Sequence, residues 1–98
     1  MMQKNLGQMM KQAQMMHSKM QKIQKELEDK KVEAESGGGM VKVTANGKGE
    51  ILSLNIEKEI VKQDEKEFME DLVLVAVNEA LRRSQELNAS EMSKVTGG

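Results

Sequence analysis

The 98-residue chain has no cysteine, proline, tryptophan or tyrosine, and one phenylalanine, Phe68. Without cysteine there is neither a disulfide framework nor a thiolate metal site. That excludes the usual build of a secreted mini-protein or a zinc module and makes the cytoplasm the expected location. The longest unbroken apolar run, Leu72 to Val77, is six residues, far short of the ~20 that a membrane-spanning helix needs. No apolar stretch precedes a small-residue cleavage site as in a signal peptide, so no membrane partner is expected. The first thirty residues hold no arginine and one serine, which is not the make-up of a transit peptide.

The means of catalysis are equally sparse. There is one histidine, His17, and no nucleophile motif. The three glycines Gly37, Gly38 and Gly39 lie between strand-like stretches and do not open a helix, so they form no phosphate-binding loop. The acid pairs Asp64/Glu65 and Glu70/Asp71 are adjacent along the chain, so their members point to diverging helix faces and read as surface charge. An enzyme is not expected, nor a cofactor, a metal or a small-molecule substrate.

What is present is charge, unevenly placed. The formal net charge is only −1, but residues 1–25 carry Lys4, Lys11, Lys19, Lys22 and Lys25 with no acid, a local +5, while residues 26–98 sum to −6. One basic element therefore sits on an acidic protein. With 38% apolar and 32% charged residues the length suits one small domain, residues 1–98. A domain of this size buries only about two-thirds of its unfolded surface, so a partner subunit is expected.

The basic element reads as a helix over residues 1–29. Leu6, Met9, Ala13, Met16, Met20, Ile23 and Leu27 recur at 3-4 spacing on one seam, and Asn5 with Gln8 can cap its start. From Leu6 to Asp29 such a helix is about 36 Å long, against ~26 Å for twice the radius of gyration of a compact 100-residue domain. Part of it must protrude or lie on another long helix. Over residues 30–56 the period changes to alternation in Val32/Ala34, Val41/Val43/Ala45 and Leu52/Leu54/Ile56, which predicts three strands in an antiparallel meander. Gly37 to Gly39 supply positive φ for the first hairpin, and Asn46-Gly47 is the favoured pair for a tight type I′ turn in the second. The two open edges of such a sheet must be blunted, covered or paired with another copy.

Residues 57–92 read as helical. A short turn over Glu57–Gln63 precedes a helix that Asp64 and Glu67 can open as a capping box and that runs through about Leu87. The run Leu72 to Val77 makes that helix apolar on all sides in its middle, so the sheet is expected on one side and a second subunit on the other. Residues 93–98 read as a loose tail. The fold class is thus α+β: long helix, three-stranded sheet, long helix.

With Leu6 at heptad position a, Lys4, Lys11 and Lys25 fall at f and Lys22 at c, opposite the seam, with Lys19 at g on its flank. Solvated helices ordinarily intersperse glutamate for i,i+4 pairing. Its absence over 25 residues turns a plain solvated face into a candidate nucleic-acid surface, which Arg82 and Arg83 could extend unless Glu79 and Glu86 hold them in ion pairs. Single-strand and RNA binders commonly stack bases on aromatic rings. The lone Phe68 lies near the buried run and reads as core, so contact with a duplex backbone is the simpler mode. Lysine without arginine on the stripe favours phosphate contacts over base reading. Met9, Met10, Met15, Met16 and Met20 with His17 could in principle ligate copper(I), but Met9, Met16 and Met20 lie on the seam that should be buried, and His17 reads as a partly buried flank residue.

Three stretches together resemble the bacterial YbaB/EbfC nucleoid-associated family over about residues 6–88. They are Leu6-Gly7-Gln8-Met9-Met10-Lys11-Gln12-Ala13-Gln14; Glu35-Ser36-Gly37-Gly38-Gly39-Met40-Val41-Lys42-Val43-Thr44 with Asn46-Gly47 after it; and Glu70-Asp71-Leu72-Val73 leading to Asn78-Glu79-Ala80. The resemblance implies a tweezers-shaped homodimer joined at a central sheet, whose helical arms engage double-stranded DNA in the nucleoid. It places Lys4, Lys11, Lys19, Lys22 and Lys25 along an arm, with Arg82 and Arg83 on the last helix. Two departures are visible: Glu57-Lys58 stands where many members have Asp-Pro, and the longer proline-containing tail of many members is absent. The rival reading, from the residues alone, is a protein-interaction module whose methionine-rich helix docks on a partner.

Overall fold

The computed structural model describes the backbone of residues 2–95 and the side chains of residues 5–95. Helix α1 (Met2–Asp29) leads into strands β1 (Lys31–Ser36), β2 (Val41–Asn46) and β3 (Ile51–Ile56). Two 3-10 turns, Lys58–Ile60 and Gln63–Glu65, then carry the chain into helix α2 (Lys66–Ser93). The α+β order expected from the periodicities is the one observed. Both helix starts differ from expectation. α1 already runs at Met2, which puts Asn5 inside it rather than at its cap. The Gln63–Glu65 turn takes in Asp64, so α2 begins at Lys66 with no side-chain cap. That turn closes with Glu65 N–H donating to the Lys62 carbonyl, which does part of the work a capping carboxylate would have done.

The strands form an antiparallel meander in the order β1-β2-β3. Gly37, Gly38 and Gly39 take φ of +60°, +66° and +96° in the first connection, as the sequence requires. The Ser36 hydroxyl next to them donates to the Leu72 carbonyl at 2.6 Å and ties this hairpin to α2. The second connection is not the predicted type I′ turn. Gly47 is absent from the positive-φ positions, and Gly49 (φ +84°) takes that role. Gly49 N–H donates to Asn46 O and Asn46 N–H to Glu50 O, closing a three-residue hairpin with a left-handed last residue. The Asn46 side chain holds it from inside, accepting from Lys48 and Glu50 N–H and donating to the Glu50 carboxylate.

The core lies between one face of the sheet and α2: Ala34, Val41, Val43 and Ala45 meet Ile60, Ala76 and Ala80. The two alanines, one helical turn apart, let α2 lie close on β1 and β2. β3 is left uncovered. Ala34, Val43 and Leu54 are partners in register on the same face, yet Val43 is 1% exposed and Leu54 48%. On the far side of α2, Leu74 is 60% exposed and Val75 57%, and Phe68, expected in the core, is half exposed. Within one chain the apolar middle of α2 is therefore covered on one side only. The edge of β1 is partly blunted, because Arg83 donates to the Glu33 carbonyl.

Candidate nucleic-acid interface

α1 leaves the body of the molecule as an arm. The protein is 75 Å long and 18 by 16 Å across, so the expected protrusion is realised. The expectation that the whole apolar seam is buried is not. Leu27 is 1% exposed and Ile23 and Met20 are half-buried, whereas Leu6, Met9, Ala13 and Met16 lie open along the outer half. The reason is length: α2 ends at Ser93, alongside the inner half of α1, and nothing among the described residues covers the seam further out. His17 is exposed as well, contrary to its reading as a flank residue.

Three contacts fix the root of the arm. The Gly47 N–H donates to the Leu27 carbonyl at 2.8 Å and to the Lys30 carbonyl at 3.2 Å, and Asn88 of α2 donates to the Gly47 carbonyl at 3.2 Å. A Cβ on Gly47 would stand 2.6 Å from the Leu27 side chain, so only glycine admits this approach. Beside it, Lys30 Nζ lies 2.5 Å from the Glu91 carboxylate, which Lys94 also contacts at 3.2 Å. The Glu91 side chain is 5% exposed.

The hydrogen bond from Lys30, and then the one from Lys94, hold the Glu91 carboxyl below the usual carboxylate range. The same bond to Glu91 holds the Lys30 ammonium above the usual lysine range. A depressed carboxylate contributes stability above its unfolded pKa of about 4.3 and loses it as pH falls through the lower folded value. A raised lysine contributes below about 10.4 and loses it as pH rises through the higher folded value. The root is therefore firmest between these limits. Urea-unfolding midpoints taken from pH 7 to pH 3 are expected to fall less steeply for Glu91→Gln than for the unchanged protein. Parallel acid limbs would show that this pair does not couple to folding.

Along the arm Lys11, Lys19, Lys22 and Lys25 are all exposed. Among the described residues none of them makes an ion pair or a hydrogen bond. The side chain of Lys4 lies outside the described residues. From Lys11 to Lys25 the row spans about 21 Å, or about six base pairs of duplex. Arg82 and Arg83 are not part of this row. Arg82 pairs with Glu79 at 2.5 Å and with Glu86, while Arg83 pairs with Glu79 at 3.1 Å. The hydrogen bond from Arg82 is the main cause that lowers the Glu79 carboxyl pKa. Both guanidinium groups are thus engaged within α2 and at the β1 edge.

Among the described residues no group of three or more histidine or acidic side chains could hold a metal ion. The methionines weighed and set aside as copper ligands, Met9 to Met20, are strung over about 16 Å of helix, too far for the set to share one point. No helix of the described residues is long and apolar enough to cross a membrane.

The sequence pattern that defines the YbaB/EbfC DNA-binding family matches residues 2–98. The chain belongs to the YbaB/EbfC DNA-binding family. It is 55% identical over 94 residues to the nucleoid-associated protein TTE0040 of Caldanaerobacter subterraneus, covering 96% of this chain and 85% of that protein. It is 53% identical over 94 residues to a nucleoid-associated protein of Clostridium novyi, covering 96% and 82%. Its fold matches the crystal structure of the uncharacterized protein HP0035 from Helicobacter pylori with a TM-score of 0.85 at 25% identity, over 93% of this chain and 96% of that one. This YbaB/EbfC chain thus joins a DNA-binding family to a structure whose projecting helix carries four exposed, unpaired lysines, Lys11, Lys19, Lys22 and Lys25, and over residues 5–25 no acidic side chain.

Proposed function

We propose that this protein is a nucleoid-associated homodimer that binds double-stranded DNA through phosphate contacts from its lysine arms and contributes to nucleoid organisation or gene regulation. The observation that carries the reading is the row Lys11, Lys19, Lys22 and Lys25, exposed and without acidic partners on a helix that stands clear of the body. Lys4 continues the row in the sequence. Arg82 and Arg83 are second-rank contacts in this scheme, because phosphate must first displace Glu79 and Glu86. The naming of relatives as nucleoid-associated supports the bacterial nucleoid, within the cytoplasm, as the place of work.

The dimer is read from the apolar surface that one chain leaves open. Leu54 on β3 and Leu74 and Val75 on α2 are each about half exposed or more in one chain, apolar surface that a second sheet and helix of the same kind would cover, and pairing β3 edges would remove an open edge. Residues 1–98 act in this reading as one DNA-binding domain whose role is binding rather than catalysis.

The test is a fluorescence-anisotropy titration of a labelled ~30 base-pair duplex over a range of salt. Neutralising about six phosphates gives a slope near −5 for log affinity against log salt. A slope near zero, or no binding at low salt by the folded protein, would remove the basis of the proposal.

A further inference from the structure

Near the root of the arm a cleft of about 240 Å³ opens between α1 and the end of α2. Lys19 and Lys22 line it from α1, and Lys94, the residue that caps the C-terminus of α2, lines it from the other side. Two carboxylates, Glu26 and Glu91, share the cleft. Among the described residues Lys19, Lys22 and Glu26 make no ion pair or hydrogen bond. Three ammonium groups against two carboxylates leave a single positive charge. That matches the one negative charge of a backbone phosphodiester and not the several of a free polyphosphate.

We propose that this cleft seats one phosphate of the DNA backbone, and that Lys94, rather than Arg82 or Arg83, is the cation that the end of α2 brings to it. The three differ in what each must give up. Arg82 donates to both carboxylate oxygens of Glu79 and to Glu86, and Arg83 donates to Glu79 and to the Glu33 carbonyl. Freeing either guanidinium breaks at least two charge-assisted hydrogen bonds. Lys94 has one partner, Glu91, at 3.2 and 3.3 Å, and its side chain is 63% exposed. It can turn to a phosphate and leave Glu91 served, because Lys30 holds the same carboxylate at 2.5 Å. Two of the last carbonyls of α2, whose partial charge opposes an anion, are also engaged. The Lys94 N–H donates to the Glu91 carbonyl at 3.2 Å and the Val95 N–H to the Met92 carbonyl at 3.0 Å.

Lys22 belongs both to the cleft and to the row along the arm. A strand seated on Lys11, Lys22 and Lys25 therefore passes the mouth of the cleft. Lys94 joins Lys22 on a phosphate that the row already holds, and so strengthens one contact without adding to the number of phosphates neutralised.

The inference rests on the DNA-binding reading above, and a double-mutant cycle separates the two. Affinity for a labelled duplex is measured by anisotropy at a salt concentration low enough for every variant to bind, with circular dichroism confirming each fold. Lys94→Gln is expected to weaken binding about tenfold or more, as loss of a charge-assisted hydrogen bond predicts. Lys94→Arg, which keeps the charge, should stay within about threefold of wild type, the size of an ordinary context effect. Lys62→Gln makes the same charge change at the end of the sheet remote from the arm and should cost little. Arg82→Gln/Arg83→Gln should weaken binding less than Lys94→Gln does. In a Lys22→Ala background most of the Lys94→Gln effect should vanish, because the phosphate that the two share is already lost. In a Lys11→Ala background, about 16 Å further up the arm, it should remain in full. Failure of wild type to bind the duplex overturns the DNA reading and this inference with it. The inference alone falls if Lys94→Gln costs no more than Lys62→Gln, if the two arginines matter more than Lys94, or if the Lys94→Gln loss persists undiminished beside Lys22→Ala.

Discussion

Lys11→Ala/Lys22→Ala/Lys25→Ala is expected to remove nearly all duplex binding near 0.1 M salt and to flatten the salt slope from about −5 to near zero. The figure follows from counterion release: each phosphate contact contributes about 0.9 to the slope, and in the proposed dimer three substitutions on each of two arms remove about six contacts, about 5 decades of affinity per decade of salt below 1 M. The fold should survive, because all three side chains are exposed and unpaired and alanine is the best helix former. Lys58→Ala/Lys62→Ala, on the turns at the end of the sheet remote from the arm, serves as the control and should change the slope little. If the triple variant binds like wild type while the control fails, the interface lies on the body and the arm has another use.

Leu74→Glu/Val75→Glu is expected to convert the proposed dimer to monomers. Both side chains face away from the sheet and are more than half exposed in one chain, so the substitutions cost the isolated fold little. At a closed two-fold interface each carboxylate is buried unpaired, which costs about 3 kcal/mol or more. That corresponds to a rise in dimer Kd of roughly 100-fold or greater. Sedimentation equilibrium at micromolar concentration should report half the wild-type mass, with circular dichroism retained and DNA affinity reduced through loss of the second arm. A folded protein of unchanged mass would move the dimer contact elsewhere.

The architecture is legible in the residues because its signals are local. Alternation in Val41/Val43/Ala45 and the 3-4 seam of α1 depend on neighbours a few positions away, and both elements appear where those patterns place them. Periodicity reports which face of a helix is apolar but not what covers it. That is why Met9 and Met16 were expected inside and lie outside, and why Phe68 proved half exposed. Asn46-Gly47 marks a turn in either geometry, and it was the second glycine, Gly49, that took the left-handed position. Glu91 was missed for a different reason. Ala80, Ser84, Leu87 and Glu91 share one helix face, so its burial had a signal, but its partner Lys30 lies 61 residues away and no spacing rule connects them. The charge asymmetry of residues 1–25 was visible at once, whereas only the folded arrangement separates Arg82 and Arg83, held by Glu79 and Glu86, from the unpaired lysines.

The single root at Gly47 makes α1 a lever. Its tip stands about 40 Å from Leu27, so a rocking of only 5° about the Leu27–Gly47–Asn88 contact would sweep the tip through about 3.5 Å, close to the ~3.4 Å of helix axis per phosphate of one DNA strand. Side-chain adjustments of a few tenths of an ångström at the root would thereby be magnified into a full step of register along a bound duplex. On the DNA-binding reading proposed above, such a lever would let the arm follow a bent or unevenly wound duplex without any change in the sheet that carries it.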